Sequence, residues 1–185
     1  MSMPDMISRA ATAAADLTSR LPDLDLDAPS TCAEWDVRGL VNHITGFLPY
    51  SANAARKGAA MEGDAPDFAA DPNWPATYAT MAQDLTAAWS ADGALDGTVT
   101  FGPGEMPAPA AAGITLMELT LHAWDLAQSA VVEFQTDEDI AAAVLGIVEG
   151  AQAQGPSDFF HEPVEAPADA TTLERAAALS GRNPR

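Results

Sequence analysis

Glu118 and His122 stand one helical turn apart inside the apolar stretch 113–130 (GITLMELTLHAWDLAQSA), and a carboxylate and an imidazole at i and i+4 can direct both donors at one metal ion. If the stretch is one helix, Thr115, Glu118, His122, Asp125 and Ser129 share a polar stripe roughly 100° wide, flanked by Leu121 and Leu126. A solvent-facing side normally covers more than half of a helix, so a stripe this narrow has two readings: a modest exposed face, or ligands turned inward. The basic residues bear on that choice. They are Arg9, Arg20, Arg38, Arg56, Lys57, Arg175, Arg182 and Arg185, with none between positions 57 and 175, so Glu118 has no local Lys or Arg partner. A carboxylate buried without a partner loses several kcal/mol of solvation or takes up a proton. An inward Glu118 therefore needs a donor or cation from elsewhere, and a metal ion would serve.

A third ligand has to come from another segment, and the chain has three histidines, His43, His122 and His161. His43 lies where Val37, Leu40, Val41, Ile44, Phe47 and Leu48 repeat at helical spacing, three residues after Leu40 and four before Phe47. That places it beside a buried stripe, as a core or boundary histidine or as a ligand completing a set with Glu118 and His122. His161 sits between prolines without periodic surroundings and reads as a loop residue. Asp125, one turn beyond His122, is either a rim charge or a partner for the imidazole, able to accept its second N–H or to help take up a proton. Trp124 falls on another side of the helix and reads as core.

Two segments carry a resemblance. Residues 31–43 (TCAEWDVRGLVNH) and the second signature Glu118-x-x-x-His122-Ala123-Trp124-Asp125-Leu126-Ala127 resemble those of the mycothiol-dependent maleylpyruvate isomerase N-terminal domain family, within the DinB-like metal-binding superfamily. The tail Ser180-Gly181-Arg182-Asn183-Pro184 is similar to that of the single-domain branch, so the resemblance runs from about residue 5 to the end. It implies an all-α, DinB-like four-helix bundle with a divalent metal held by His43, Glu118 and His122, and a low-molecular-weight thiol such as mycothiol as co-substrate.

The elements that must position these residues are helical. Met6, Ile7, Ala10, Ala14, Leu17 and Leu21 predict a first amphipathic helix over 4–21. After a loop over 22–34, Asp36 can cap a second helix running to about Lys57, with Trp35 and Leu40 placed as a hydrophobic staple. A polar connector, 58–73, leads to a third helix that starts at Pro75 and breaks at Asp92-Gly93. Residues 97–101 (GTVTF) are the one strand-like stretch, a short extended segment or half of a hairpin. Residues 107–113 lead into the fourth helix, and Ile140, Val144, Ile147 and Val148 mark a fifth over 136–153. A final short helix, 169–180, has Thr171 and Glu174 at capping-box spacing and stops at Gly181. One domain spanning 1–185 is expected.

Composition narrows the function classes. A net charge of −19 repels nucleic acid and anionic lipid, both of which need clustered Lys and Arg. No 18-residue uncharged apolar run and no signal-peptide pattern is present, so a cytoplasmic protein is expected. The single cysteine, Cys32, allows no internal disulfide and reads as a small buried residue before the second helix.

Two imidazoles and one carboxylate leave an ion with open positions, the arrangement of a catalytic rather than a structural site. Zinc is the first choice, with nickel or iron as alternatives. A metal favours the deprotonated, nucleophilic form of a thiol, which then attacks an electrophile in S-transfer or adds and leaves in isomerisation. The maleylpyruvate isomerases carry a further C-terminal domain that this chain is expected to lack. A dicarboxylate such as maleylpyruvate ordinarily recruits arginines, and Arg182 is the expected cofactor-binding cation. A thiol-dependent enzyme acting on a small, less anionic electrophile, compatible with a homodimer, is the leading expectation. A non-catalytic metal- and ligand-binding module and an interaction protein with an incidental metal stay open beside it.

Overall fold

The computed structural model describes residues 1–184 apart from 22, 33–34, 62, 64 and 156–159. Pro22, Ala33, Glu34 and Arg185, and parts of the 58–73 connector and of the segment before His161, thus lie outside the described residues. The chain divides into two compact units, Met1–Phe134 and Gln135–Arg185.

The first unit holds four long helices: α1 (Met3–Ser19), α2 (Val37–Ala55), α3 (Trp74–Trp89) and α4 (Ala108–Ser129). Helices α1 and α2 each pack against both α3 and α4, which sets the order α1, α3, α2, α4 around the bundle and makes α2 and α4 neighbours. The ends follow local chemistry. Ser2 and Asp5 form a capping box on α1, and the Asp36 carboxylate accepts the Gly39 N–H at 2.7 Å to start α2 as the sequence predicts. Helix α4 begins five residues before its expected start. Pro109 falls in the first turn, where its missing N–H costs nothing, and Ala110 to Ala112 favour helix.

Strands β1 (Thr98–Phe101) and β2 (Gly104–Pro107) form an antiparallel hairpin with Phe101 opposite Gly104. Gly102, at φ +65°, takes the left-handed conformation at the first position of the two-residue turn. Its N–H donates to the Tyr50 hydroxyl on α2. The predicted strand-like stretch is thus one arm of this hairpin. A 3-10 turn, Phe68–Ala70, lies against α2 through Asn42, whose Oδ1 accepts the Ala69 N–H at 2.9 Å.

The second unit consists of α5 (Glu138–Gln152) packed on α6 (Thr172–Leu179). Thr171 and Glu174 make the predicted capping box on α6. Gly181 follows at φ +89°, where a Cβ would lie 2.4 Å from His161 Cβ, so both conformation and space demand glycine. No helix among the described residues is long and apolar enough to cross a membrane.

Candidate metal centre

Helix α4 is buried on nearly every side, and its polar stripe faces the interior. Thr115 and Asp125 are fully buried and His122 is 6% exposed, so the surface-face reading of the stripe falls away. From the neighbouring helix α2, His43 meets it. The Nε2–H groups of His43 and His122 both donate to the same Glu118 oxygen, Oε2, at 3.0 and 3.2 Å. Side-chain exposure falls from 29% at His43 through 18% at Glu118 to 8% at His122, so the cluster opens outward on the His43 side.

The opposite edge of His122 is closed. Its Nδ1–H donates to Asp125 Oδ2 at 2.9 Å, while Asp125 Oδ1 accepts from the Thr31 hydroxyl at 3.0 Å. Cys32 also hydrogen-bonds the imidazole. Burial alone would raise the Glu118 carboxyl, but the charge of His122 and hydrogen bonds from both imidazoles outweigh it and hold the group well below its usual 4.5. Burial alone would lower His122, yet Glu118, with Asp125 and Cys32, pushes it well above 6.5.

The donor set fits a divalent ion. The ligand atoms of His43, Glu118 and His122 lie within 4.8 Å of one another. The 3.0 and 3.2 Å spacings approach the roughly 3.3 Å edge of a tetrahedron built on zinc–nitrogen bonds of about 2.0 Å. A cavity of about 10 Å³ opens against the three side chains, roughly the room one water occupies, with Ile44, Phe47, Tyr78 and Leu119 as its apolar wall. No Lys or Arg is among its lining residues. A second grouping, Cys32, His122 and Asp125, also brings three potential donors together, fully inside the protein.

The structure therefore brings His43, Glu118, His122 and Asp125 into one cluster. Arg182 belongs to the second unit, where its guanidinium donates to Ser180 Oγ at 2.9 Å, and His161 is an exposed loop residue. Sequence reasoning missed Thr31, the contact of Cys32 with His122, and Trp35, whose indole stacks on His43 with centroids 4.2 Å apart. The first signature held all three; the four-residue spacing of Trp35, Gly39 and His43 is a signal for the stack, whereas no periodicity aims Thr31 and Cys32 at a helix some ninety residues away.

A helical bundle with two histidines and a glutamate on adjacent helices defines a class of metal-binding proteins. The chain belongs to the mycothiol maleylpyruvate isomerase N-terminal domain family, whose sequence profile matches residues 7–127. Two relatives, both uncharacterized proteins of Mycobacterium tuberculosis from different strains, are 26% identical over 181 residues, covering 96% of this chain and 96% of each relative. The crystal structure of a mycothiol-dependent maleylpyruvate isomerase superposes with a TM-score of 0.60 at 16% identity, covering 86% of this chain and 75% of that one. That likeness establishes the shared fold.

Proposed function

We propose that the chain is a metal-dependent enzyme using a low-molecular-weight, mycothiol-like thiol for S-transfer to, or isomerisation of, a small electrophile in the cytoplasm. The observation that carries this reading is the convergence of His43, Glu118 and His122 on a partly open cavity without a Lys or Arg among its lining residues. These three residues would hold the ion, zinc by preference. When bound, it would supply positive charge that favours the thiolate form of a co-substrate near neutral pH.

The protein's own groups do the rest. Asp125 takes the Nδ1 proton of His122 in a hydrogen bond and so leaves Nε2 as the donor toward the cavity. Thr31 fixes Asp125 in turn, which makes Asp125 a positioning residue acting through His122. Phe47, Tyr78 and Leu119 exclude water from one side of the cavity and favour an electrophile with an apolar body. The absence of a cation from that lining supports a less anionic substrate than a dicarboxylate. Arg182 is assigned to an anionic group of the thiol, on sequence grounds.

The cavity's small size favours a second reading, a metal-binding module without turnover. Zinc-loaded protein assayed with mycothiol, glutathione and cysteine against a chromogenic aryl halide and an activated alkene separates the two. Thiol-dependent turnover lost on chelation and restored by metal supports the enzyme. Stoichiometric metal with no turnover for any pair supports the module.

A further inference from the structure

His122 and His43 are held in different ways. The outer nitrogen of His122 is fixed by Asp125, whereas among the described residues the Nδ1 of His43 has no hydrogen-bond partner. A ligating imidazole nearly always needs such an orienting contact. At His43 an aromatic ring lies against the imidazole instead. The Trp35 indole lies nearly parallel to the imidazole, at 4.2 Å between centroids and 22° between planes, and makes a T-shaped contact with His122 at 5.7 Å.

Trp35 is itself seated from two directions. Its carbonyl accepts the Ser30 hydroxyl at 2.7 Å and its N–H donates to the Cys32 carbonyl at 3.1 Å. On the other side, Gly39 in the first turn of α2 leaves room for the indole. A Cβ there would stand 2.9 Å from Trp35 Cβ and 3.0 Å from Cδ1, closer than side chains tolerate. Gly39 does not have a positive φ, so backbone conformation does not demand a glycine, which weakens a helix relative to alanine. Space for the indole is what the structure offers as its reason. Trp35, Gly39 and His43 follow one another at intervals of four residues, along one side of the start of α2.

The geometry points to Trp35 as the positioning residue for His43, seated by Gly39, so that the metal centre is oriented by a hydrogen bond on its buried histidine and by an aromatic stack on its exposed one. This rests on the metal reading above.

The test is Co²⁺ titration followed by the visible absorption spectrum, with wild type, Trp35→Phe, Trp35→Leu and Gly39→Ala. The ring-proton shifts of His43 are measured by NMR in the metal-free proteins. Loss of a stacked aromatic contact is expected to weaken Co²⁺ binding about threefold to tenfold in Trp35→Leu and to change the d–d bands. Trp35→Phe should restore both, and Gly39→Ala should weaken binding without touching any ligand. The His43 ring protons should be shifted upfield in wild type and return toward ordinary positions in Trp35→Leu. Circular dichroism checks folding, and Gly39→Ala carries the test should Trp35→Leu fail to fold. Wild-type Co²⁺ affinity and spectrum in the folded leucine and alanine variants would overturn the positioning role while leaving the metal reading intact. No Co²⁺ uptake by wild type would sink the metal reading, and the positioning role with it.

Discussion

The stripe on α4 supplies two buried polar clusters a turn apart, and they behave differently. At Thr115 the groups are neutral and every proton has a destination. The Trp89 indole N–H donates to Ser51 Oγ at 2.9 Å, the Ser51 and Thr115 hydroxyls meet at 2.7 Å, and Thr115 donates to the Ala111 carbonyl at 2.9 Å. That chain ties α2, α3 and α4 together and leaves nothing to offer a ligand. One turn on, the groups are ionisable, and two imidazoles crowd a single carboxylate oxygen beside a cavity. Burial of polar atoms thus does not mark a site by itself. Convergent donors at an opening do.

The sharpest way to break that contrast is to remove donors. Glu118→Ala and His122→Ala should each lower zinc affinity beyond the roughly 10–100-fold typical of an outer partner, measured by competition with a chromogenic chelator. Asp125→Asn should fall within about that 10–100-fold range, because it disturbs only the orientation and tautomer of His122. Ser51→Ala reverses the pattern. Leaving the buried Trp89 N–H and Thr115 hydroxyl short of a partner should cost about 1–3 kcal/mol in denaturant unfolding, with zinc affinity unchanged.

A smaller effect is pH dependence in chelated protein. Glu118, held below 4.5, contributes stability that is complete above that value and fades as pH falls through its lowered folded value. His122, raised above 6.5, contributes stability that is complete below 6.5 and fades as pH rises through its raised folded value. Melting temperature should therefore peak at mildly acidic pH without metal. Zinc should extend the stable range upward, since an ion replaces the proton on Nε2; identical profiles with and without zinc would contradict this. The smallest effect expected is for Arg182→Ala, which should raise KM for an anionic thiol while leaving zinc content unchanged.

How far the sequence was legible follows the same division between local and long-range physics. Helical periodicity, the Asp36 cap and the Thr171–Glu174 capping box are local, and the structure shows them at the expected places. Helix α4 starts five residues ahead of the expected point, because a proline in the first turn and an alanine run carry it back to Ala108. The narrow stripe and the missing cations left Glu118 an outward and an inward reading, and the burial of Glu118 and His122 selects the inward one. What lay beyond reach was the loop before α2. Thr31 reaches Asp125 across 94 positions. Such contacts depend on how elements pack, and no pattern along the chain encodes them directly.

His43, Glu118 and His122 are proposed to hold one ion together. Elemental analysis of untagged protein beside the His122→Ala variant, both dialysed against a buffer containing trace divalent metals, tests it most directly. Close to one metal per wild-type chain is expected, and almost none in the variant. Equal metal content in the two proteins, or none in either, would contradict it.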